Sequence, residues 1–195
     1  SILITGIRLA LMFRMKMIAA AKLTLLSLLI VAPCSSAVAG NLNAVLNGRS
    51  LHVDATQNWN EDNIGLGLEY QFRTDSRWKK QVMVNGFRDS NNEMSYMAGA
   101  GLHRTLFASD NLNGFYVDAG VSAFFMTRRD FNDNRPFPGA VPSLTIGNSA
   151  VGFNLSYLPV KAVERLLDAR MMDDNVSGIF FLQFKVGVDQ LLPGD

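Results

Sequence analysis

The chain has 195 residues, a formal net charge of +1 and 48% hydrophobic residues. This length suits one domain with a sizeable buried or lipid-facing surface. The nearly balanced charge gives no sign of the basic surface that nucleic-acid binding requires, so no nucleic-acid partner is expected.

The N-terminal segment 1–39 has the pattern of an upstream stretch followed by a secretory signal peptide. Met15-Lys16-Met17 and Lys22 precede an apolar run from Leu23 to Ala32, and Ala37-Val38-Ala39 is a small-residue cleavage site. The apolar run is shorter than the roughly 20 residues that a membrane-spanning helix needs. We expect cleavage after Ala39, so that residues 40–195 form the mature, exported domain.

The sequence contains a single cysteine, Cys34, which falls inside the predicted signal peptide. A lipoprotein anchor at Cys34 is the alternative, but Pro33 stands where such sites have a small flexible residue. We therefore expect a mature chain without cysteine, disulfide bonds or thiol chemistry.

From Asn41 onward, hydrophobicity alternates with a period of two residues, as it does in β-strands. The clearest segments are Ile64–Phe72 and Phe115–Phe125. Lys161–Met172 instead has the spacing of a short amphipathic helix, which would lie on the membrane surface or pack over the rim of the fold. The alternation predicts eight strands, near residues 42–52, 63–73, 79–88, 94–107, 114–127, 140–148, 150–158 and 177–187.

The connections alternate between longer polar loops and tight links, which is typical of bacterial outer-membrane barrels. A soluble antiparallel sandwich is the competing interpretation, because alternation alone also fits a half-buried sheet. One face of the strands is almost wholly apolar, whereas the other carries polar residues that suit a barrel interior better than a sandwich core. These are Glu69, Gln71, His103, Asp118, Asn154, Gln183 and Lys185. We therefore predict an all-β fold, an eight-stranded antiparallel transmembrane β-barrel of the outer membrane.

The predicted interior changes character between the end that carries the longer loops, here called the long-loop end, and the opposite turn end. Polar residues occupy the half near the turn end. An eight-stranded barrel is too narrow to conduct much, so the apolar half predicts either a pocket for a hydrocarbon chain or tightly packed side chains. The first, third and sixth strands do not resolve by parity. Inward positions near the long-loop end are Gly65, Gly67, Met97, Gly99, Gly101, Phe124, Met126, Ile179 and Phe181.

Several short segments between Leu51 and Val186 occur in an order shared with a known family. Phe87-Arg88-Asp89-Ser90 is followed by Ala98-Gly99-Ala100-Gly101, similar to Phe-Lys-Asp-Ser and Ala-Gly-Tyr-Gly in that family at the same separation. Together the segments make the chain resemble the lipid A palmitoyltransferase PagP family. Further similarities are Ala119-Gly120-Val121, Arg129-Asp130, Pro136, Pro138, Pro142, Tyr157-Leu158-Pro159, and His52 at the end of the first strand.

The resemblance implies an acyltransferase that moves a palmitoyl chain from a glycerophospholipid to a hydroxyl of lipid A. It implies His52, Asp89 and Ser90 as catalytic residues facing the external leaflet of the outer membrane. His52 would take the acceptor's proton, because imidazole changes charge near neutral pH, and Asp89 would orient His52 or stabilise its charge. Ser90 is either a nucleophile or an oxyanion donor, and no G-x-S-x-G elbow is present to decide between them.

The resemblance also implies residues that bind the acyl chain inside the barrel. Gly101 would form the floor that sets the acyl length. Met97, Gly99, Phe124 and Met126 would line the pocket between this floor and the long-loop end.

Two further pairs are expected to contact the lipid substrates. Arg129 would bind a lipid A phosphate, or form an ordinary charged pair with Asp130. Pro142 and Pro159, expected at the outer ends of the sixth and seventh strands, would either interrupt the wall hydrogen bonds or be ordinary loop-edge prolines. The resemblance implies that such interruptions admit lipid sideways from the membrane.

No metal-ligand spacing occurs in the sequence, and neither a metal nor a cofactor is expected. The expected partners are a glycerophospholipid donor, lipid A and the outer membrane, with the protein as a monomer. An outer-membrane acyl hydrolase and a non-enzymatic small barrel remain as alternatives. The loop residues cannot distinguish transferase from hydrolase, because the two differ in whether a sugar hydroxyl or water reaches the acyl group.

Overall fold

The computed structural model of the chain describes residues 40–167, 170 and 175–191. The predicted signal peptide, its cleavage site and Cys34 lie outside the described residues. No helix among the described residues is long and apolar enough to cross a lipid bilayer.

Eight antiparallel strands form a closed barrel in which each strand pairs with the next along the chain and the last pairs with the first. The predicted eight-stranded barrel is confirmed. The strands are β1 (Gly40–Val53), β2 (Asp62–Phe72), β3 (Trp78–Arg88), β4 (Met94–Ser109), β5 (Phe115–Met126), β6 (Phe137–Gly147), β7 (Val151–Leu158) and β8 (Gly178–Gly187), with one helix, α1 (Val160–Leu167), between β7 and β8.

Alternation along the strands places large apolar side chains on the outside of the barrel and polar side chains inside it. Leu66, Tyr96 and Phe125 are 67%, 60% and 62% exposed, whereas Glu69 and Lys185 are only 2% and 4% exposed. A sandwich would show the opposite distribution, because its apolar faces pack against each other. The arrangement is that of a barrel wall facing lipid, and the sandwich alternative is excluded.

A polar plug fills the half of the barrel near the turn end, as the sequence predicts. Lys185 Nζ lies 2.8 Å from Glu69 Oε1, and Lys79 Nζ lies 2.8 Å from Asp118 Oδ2. Burying a charge is costly unless it is paired and hydrogen-bonded, and these pairs meet that condition. Further hydrogen bonds in this plug involve His103, Ser143, Thr145 and Asn154.

Helix α1 packs over the rim at the long-loop end, which decides between its two predicted locations. Its first residue, Val160, is 1% exposed and forms a buried cluster with Val176 and Ile179. A helix lying on the membrane surface would instead turn its apolar side chains towards lipid. Beyond Leu167, Arg170 alone of the predicted helix Lys161–Met172 lies within the described residues.

The barrel wall is not hydrogen-bonded along its whole height. Pairing between β6 and β7 runs from Ser143↔Ser156 to Gly147↔Gly152, so the preceding part of β6 has no paired residue on β7. Pro142 lies at this boundary, in the middle of β6 rather than at its outer end as predicted. This part of β6 has no hydrogen-bonding partner on β7, so prolines do not disrupt a ladder there. The strand therefore begins at Phe137, earlier than expected.

The interruption expected at Pro159 is absent between β7 and β8. Pairing of these two strands continues as far as Leu158↔Ile179. Pro159 follows the last paired residue of β7, so its missing N–H removes no hydrogen bond from the ladder. Among the described residues, the unpaired stretch of wall next to a proline lies between β6 and β7, and we call it the β6–β7 gap.

Candidate active site

His52 and Ser90 meet at the long-loop end of the barrel. His52 is the second-last residue of β1 and pairs with Ile179 of β8, while Ser90 lies in the loop that joins β3 to β4. His52 Nε2 is 2.8 Å from Ser90 Oγ, and each residue is 7% exposed. The structure thus brings together two of the three residues predicted to be catalytic.

The third predicted residue, Asp89, contacts its own loop in the structure. Its Oδ1 atom accepts hydrogen bonds from the backbone N–H groups of Asn91 at 2.9 Å and Glu93 at 3.1 Å, an aspartate turn of the kind that shapes tight loops. Its Oδ2 atom accepts a hydrogen bond from Ser95 Oγ at 2.8 Å. These contacts fix the conformation of the loop that presents Ser90, and the role expected for Asp89 beside His52 stays a prediction.

Glu61 is the carboxylate that the structure places beside the imidazole of His52. Its Oε1 atom is 3.8 Å from His52 Nδ1 and accepts a hydrogen bond of 3.3 Å from the His52 backbone N–H. The Glu61 carbonyl accepts a hydrogen bond from the Ser50 backbone at 2.8 Å, which holds this loop residue against β1. Trp59 stacks on the imidazole, with ring centroids 5.7 Å apart. Strand periodicity does not extend into loops, so no sequence pattern indicated Glu61.

A buried arginine, Arg128, was also missed by the sequence analysis. Its guanidinium donates to both carboxylate oxygens of Asp130, at 3.1 and 2.8 Å, and its Nε atom is 4.0 Å from Asp89 Oδ2. The predicted pair of Arg129 with Asp130 is not formed, because Asp130 binds Arg128 instead. Arg129 is 72% exposed and donates to Glu93.

An internal cavity of about 100 Å³ extends from the long-loop end to the polar plug. Three of the residues predicted to bind the acyl chain, Met97, Phe124 and Met126, line it. Other lining side chains are Met83, Phe87, Val141, Leu158 and Phe181, with Gln81, Ser122 and His103 towards the plug. The apolar half of the barrel is therefore partly hollow rather than completely packed.

Gly99 and Gly101, which were expected to line the cavity, lie behind other side chains. A Cβ atom placed on Gly99 would be 2.7 Å from Phe124 Cβ, and one on Gly139 would be 2.5 Å from Phe124 Cε2. These two glycines provide the space in which Phe124 packs against the wall. A Cβ atom placed on Gly101 would meet Gln81 and Ser122.

The fold and the internal cavity define the chain as a small antiparallel membrane β-barrel. A family model described as antimicrobial peptide resistance and lipid A acylation protein PagP matches residues 42–165, and the chain belongs to this family. The chain is also 27% identical over 107 residues to a protein of Methylobacillus flagellatus named lipid A acyltransferase PagP. The matched segment covers 54% of this chain and 56% of that relative, so the chain spans about half the length of the relative.

Proposed function

We propose that the protein is an outer-membrane acyltransferase that moves a palmitoyl chain from a glycerophospholipid to a hydroxyl of lipid A. The observation that carries the proposal is the hydrogen-bonded His52–Ser90 pair at the mouth of a barrel with an apolar cavity. Family membership and the name of the Methylobacillus relative support lipid A as the acceptor. The long-loop end faces the external leaflet, and the protein acts as a monomer without a cofactor.

The geometry of the pair favours Ser90 as the nucleophile. The 2.8 Å separation of Nε2 and Oγ is within the range in which a general base activates a hydroxyl. His52 takes the Ser90 proton as Oγ bonds to the donor's carbonyl carbon, and then gives that proton to the departing lysophospholipid oxygen. A lipid A hydroxyl next attacks the acyl-serine, His52 takes its proton, and Ser90 is regenerated with that proton.

Glu61 and Asp89 have different roles in this scheme. When Nε2 accepts a proton the imidazole becomes positively charged, and the Glu61 carboxylate 3.8 Å from Nδ1 stabilises that charge. Asp89 holds the loop that presents Ser90. The buried guanidinium of Arg128 links this loop to Asp130 and keeps the Asp89 carboxylate near a compensating charge.

The β6–β7 gap supports lateral entry of lipid from the membrane. Phe137 and Val141, which line this stretch of β6, are buried, and Val141 also lines the cavity. A glycerophospholipid can therefore insert one chain between β6 and β7 without crossing a hydrogen-bonded ladder. The headgroup then remains at the long-loop end, near Ser90.

The fate of a labelled acyl chain tests the proposal. Purified protein is placed in vesicles that contain lipid A and a phospholipid with an isotopically labelled palmitoyl group. The proposal predicts label on lipid A and an equal amount of lysophospholipid. Label recovered as free fatty acid would instead identify a hydrolase, and label remaining on the phospholipid would identify a barrel without this activity.

A further inference from the structure

Four basic side chains cluster on the outer surface of the barrel at its turn end. Lys80 of β3 and Arg104 of β4 face outward, because the strand residues next to them point into the barrel. Arg73 and Arg77 flank the exposed turn between β2 and β3, which also carries Asp75. Among the described residues, none of the four basic side chains forms an ion pair with a carboxylate. We call this cluster the basic sector.

The basic sector covers only one side of the barrel. At the turn end, the outward positions of β1, β5, β6, β7 and β8 carry no lysine or arginine within the described part of the chain. Two other lysines near this end, Lys79 and Lys185, point inward and pair with Asp118 and Glu69. A general attraction to a membrane surface does not require positive charge on three adjacent strands alone. The asymmetry indicates a ligand that binds at one place on the wall.

The basic sector lies where the lipid-facing band of the wall ends. The outward positions of β3 between Lys80 and Arg88 are apolar, with Val82 and Val84 exposed. At about 3.3 Å per residue, the two basic residues stand about 26 Å apart along the strand, of the order of the roughly 25 Å apolar band of such barrels. Trp78 is also exposed at the turn end of β3, as tryptophan is at membrane interfaces. The basic sector is therefore at the level of lipid headgroups.

Lys80 and Arg104 can reach the same anion. Trp78 pairs with Arg104 across the β3–β4 ladder, and the Arg104 guanidinium lies 6.0 Å from the centroid of the Trp78 ring. Lys80 is diagonal to Arg104 in this ladder, and such residues are about 7–8 Å apart. Next to them, a surface pocket of about 390 Å³ opens between the β2–β3 turn and the bulge of β4. Its lining includes Asp75, Ser76, Arg77, Thr105 and Phe107.

We infer that the basic sector binds the headgroup of an anionic glycerophospholipid in the leaflet at the turn end. The Lys80 ammonium and the Arg104 guanidinium hold the phosphate, since both groups donate charge-assisted hydrogen bonds to phosphate oxygens. The rest of the headgroup enters the pocket, and the acyl chains lie along the apolar wall. A choline headgroup is disfavoured, because its positive charge is repelled by the four basic side chains.

This inference goes beyond the proposed function. The basic sector is on the outer wall at the turn end, whereas the His52–Ser90 pair is at the long-loop end, so the lipid is bound without being a substrate. The orientation proposed above makes this leaflet the inner one. Binding itself requires only that the barrel be in a membrane, so it can be tested without any measurement of acyl transfer.

The fluorescence of Trp78 reports which lipid lies at the basic sector. The chain has two tryptophans, so Trp59→Phe leaves Trp78 as the only emitter. This protein is placed in phosphatidylcholine vesicles that contain a small fraction of either phosphatidylglycerol or phosphatidylcholine with brominated acyl chains. Bromine quenches tryptophan only at short range, so the ratio of the two quenching strengths gives the preference for the anionic lipid. We expect a preference of at least about fivefold, the contribution of one basic side chain near an anionic lipid surface.

Two double variants in the Trp59→Phe background locate the binding. Lys80→Gln/Arg104→Gln should lower the preference to nearly one. Lys161→Gln/Arg165→Gln is the matched control and should keep the preference, because it removes the same charge from exposed positions of α1 at the long-loop end.

Equal quenching by the two brominated lipids in the Trp59→Phe protein overturns the inference, as does an unchanged preference in Lys80→Gln/Arg104→Gln. An equal loss of preference in the control also overturns it, because net charge alone would then explain the attraction. If Lys80→Gln/Arg104→Gln does not fold, Lys80→Gln decides. Its preference should fall at least about twofold, and the full preference would reject the site.

Discussion

His52 Nε2 lies 2.8 Å from Ser90 Oγ, although the two residues are 38 positions apart and lie on β1 and in the loop after β3. The β1–β8 ladder fixes His52, and the aspartate turn at Asp89 fixes Ser90. Two independent parts of the fold therefore hold the pair at hydrogen-bond distance before any substrate binds. Such prior positioning of nucleophile and base is the arrangement that covalent acyl transfer requires.

Ser90→Ala should abolish acyl transfer without unfolding the barrel, because Ser90 lies in a loop and contributes nothing to the strand ladders. We expect a loss of at least about a thousandfold, as for removal of a nucleophile in other acyl-transfer sites. Transfer rate and heat-modifiable electrophoretic mobility are measured together. Ser149→Ala, in an exposed turn at the opposite end, is the control and should retain full activity.

Glu61→Gln should lower kcat by about ten- to a hundredfold with little change in KM, because a neutral amide stabilises the imidazolium ion less well. Asp89→Asn should instead weaken the loop, raising KM and lowering the unfolding temperature. Steady-state kinetics and thermal unfolding of both variants separate the two roles. If Glu61→Gln has the wild-type kcat while Asp89→Asn has a much lower kcat and an unchanged unfolding temperature, Asp89 is the partner of His52.

Arg128→Met should destabilise the barrel by about 1–3 kcal/mol, because it leaves the buried Asp89 carboxylate without its nearby positive charge. The cost stays below that of breaking a fully buried ion pair, because the Asp130 side chain is 38% exposed. Arg129→Met removes only an exposed pair and should cost less than about 1 kcal/mol. Urea unfolding of the two variants in vesicles gives the comparison. Equal losses of unfolding free energy would show that burial of Arg128 is unimportant.

A disulfide across the β6–β7 gap should block lipid entry. Cysteines at Pro142 and Tyr157 stand one register step beyond the last pair, Ser143↔Ser156, so that a bond between them closes the wall. Transfer should stop on oxidation and return on reduction. Cysteines at Ile146 and Phe153, within the paired part of the same strands, are the control and should have no effect. Full activity with the disulfide between positions 142 and 157 formed would show that lipid enters elsewhere.

Local patterning predicted the fold well because strands and turns depend on nearby residues. Alternation located all eight strands. The start of β6 departs most from its expected position, because its prolines suggested a break although this part of β6 has no partner on β7. The same alternation placed Met97, Phe124 and Met126 in the cavity.

The side chains that the sequence did not indicate are placed by contacts between different strands and loops. The alternation of β3 is ambiguous, so the packing of Gln81 against Gly101 was hidden. Glu61 and Arg128 lie in loops, where no periodicity indicates which side chain turns inward. Glu61 reaches His52 because the loop after β1 folds back against β1, and Arg128 reaches Asp89 because β3, β4 and β5 are neighbours in the wall.

The mass of lipid A recovered from vesicles that contain the wild-type protein or Ser90→Ala tests the central claim most directly. We predict that the wild-type protein adds one palmitoyl group to lipid A and that Ser90→Ala leaves its mass unchanged. Unchanged lipid A with the wild-type protein would contradict acyl transfer. Palmitoylated lipid A formed by a folded Ser90→Ala barrel would contradict the His52–Ser90 site.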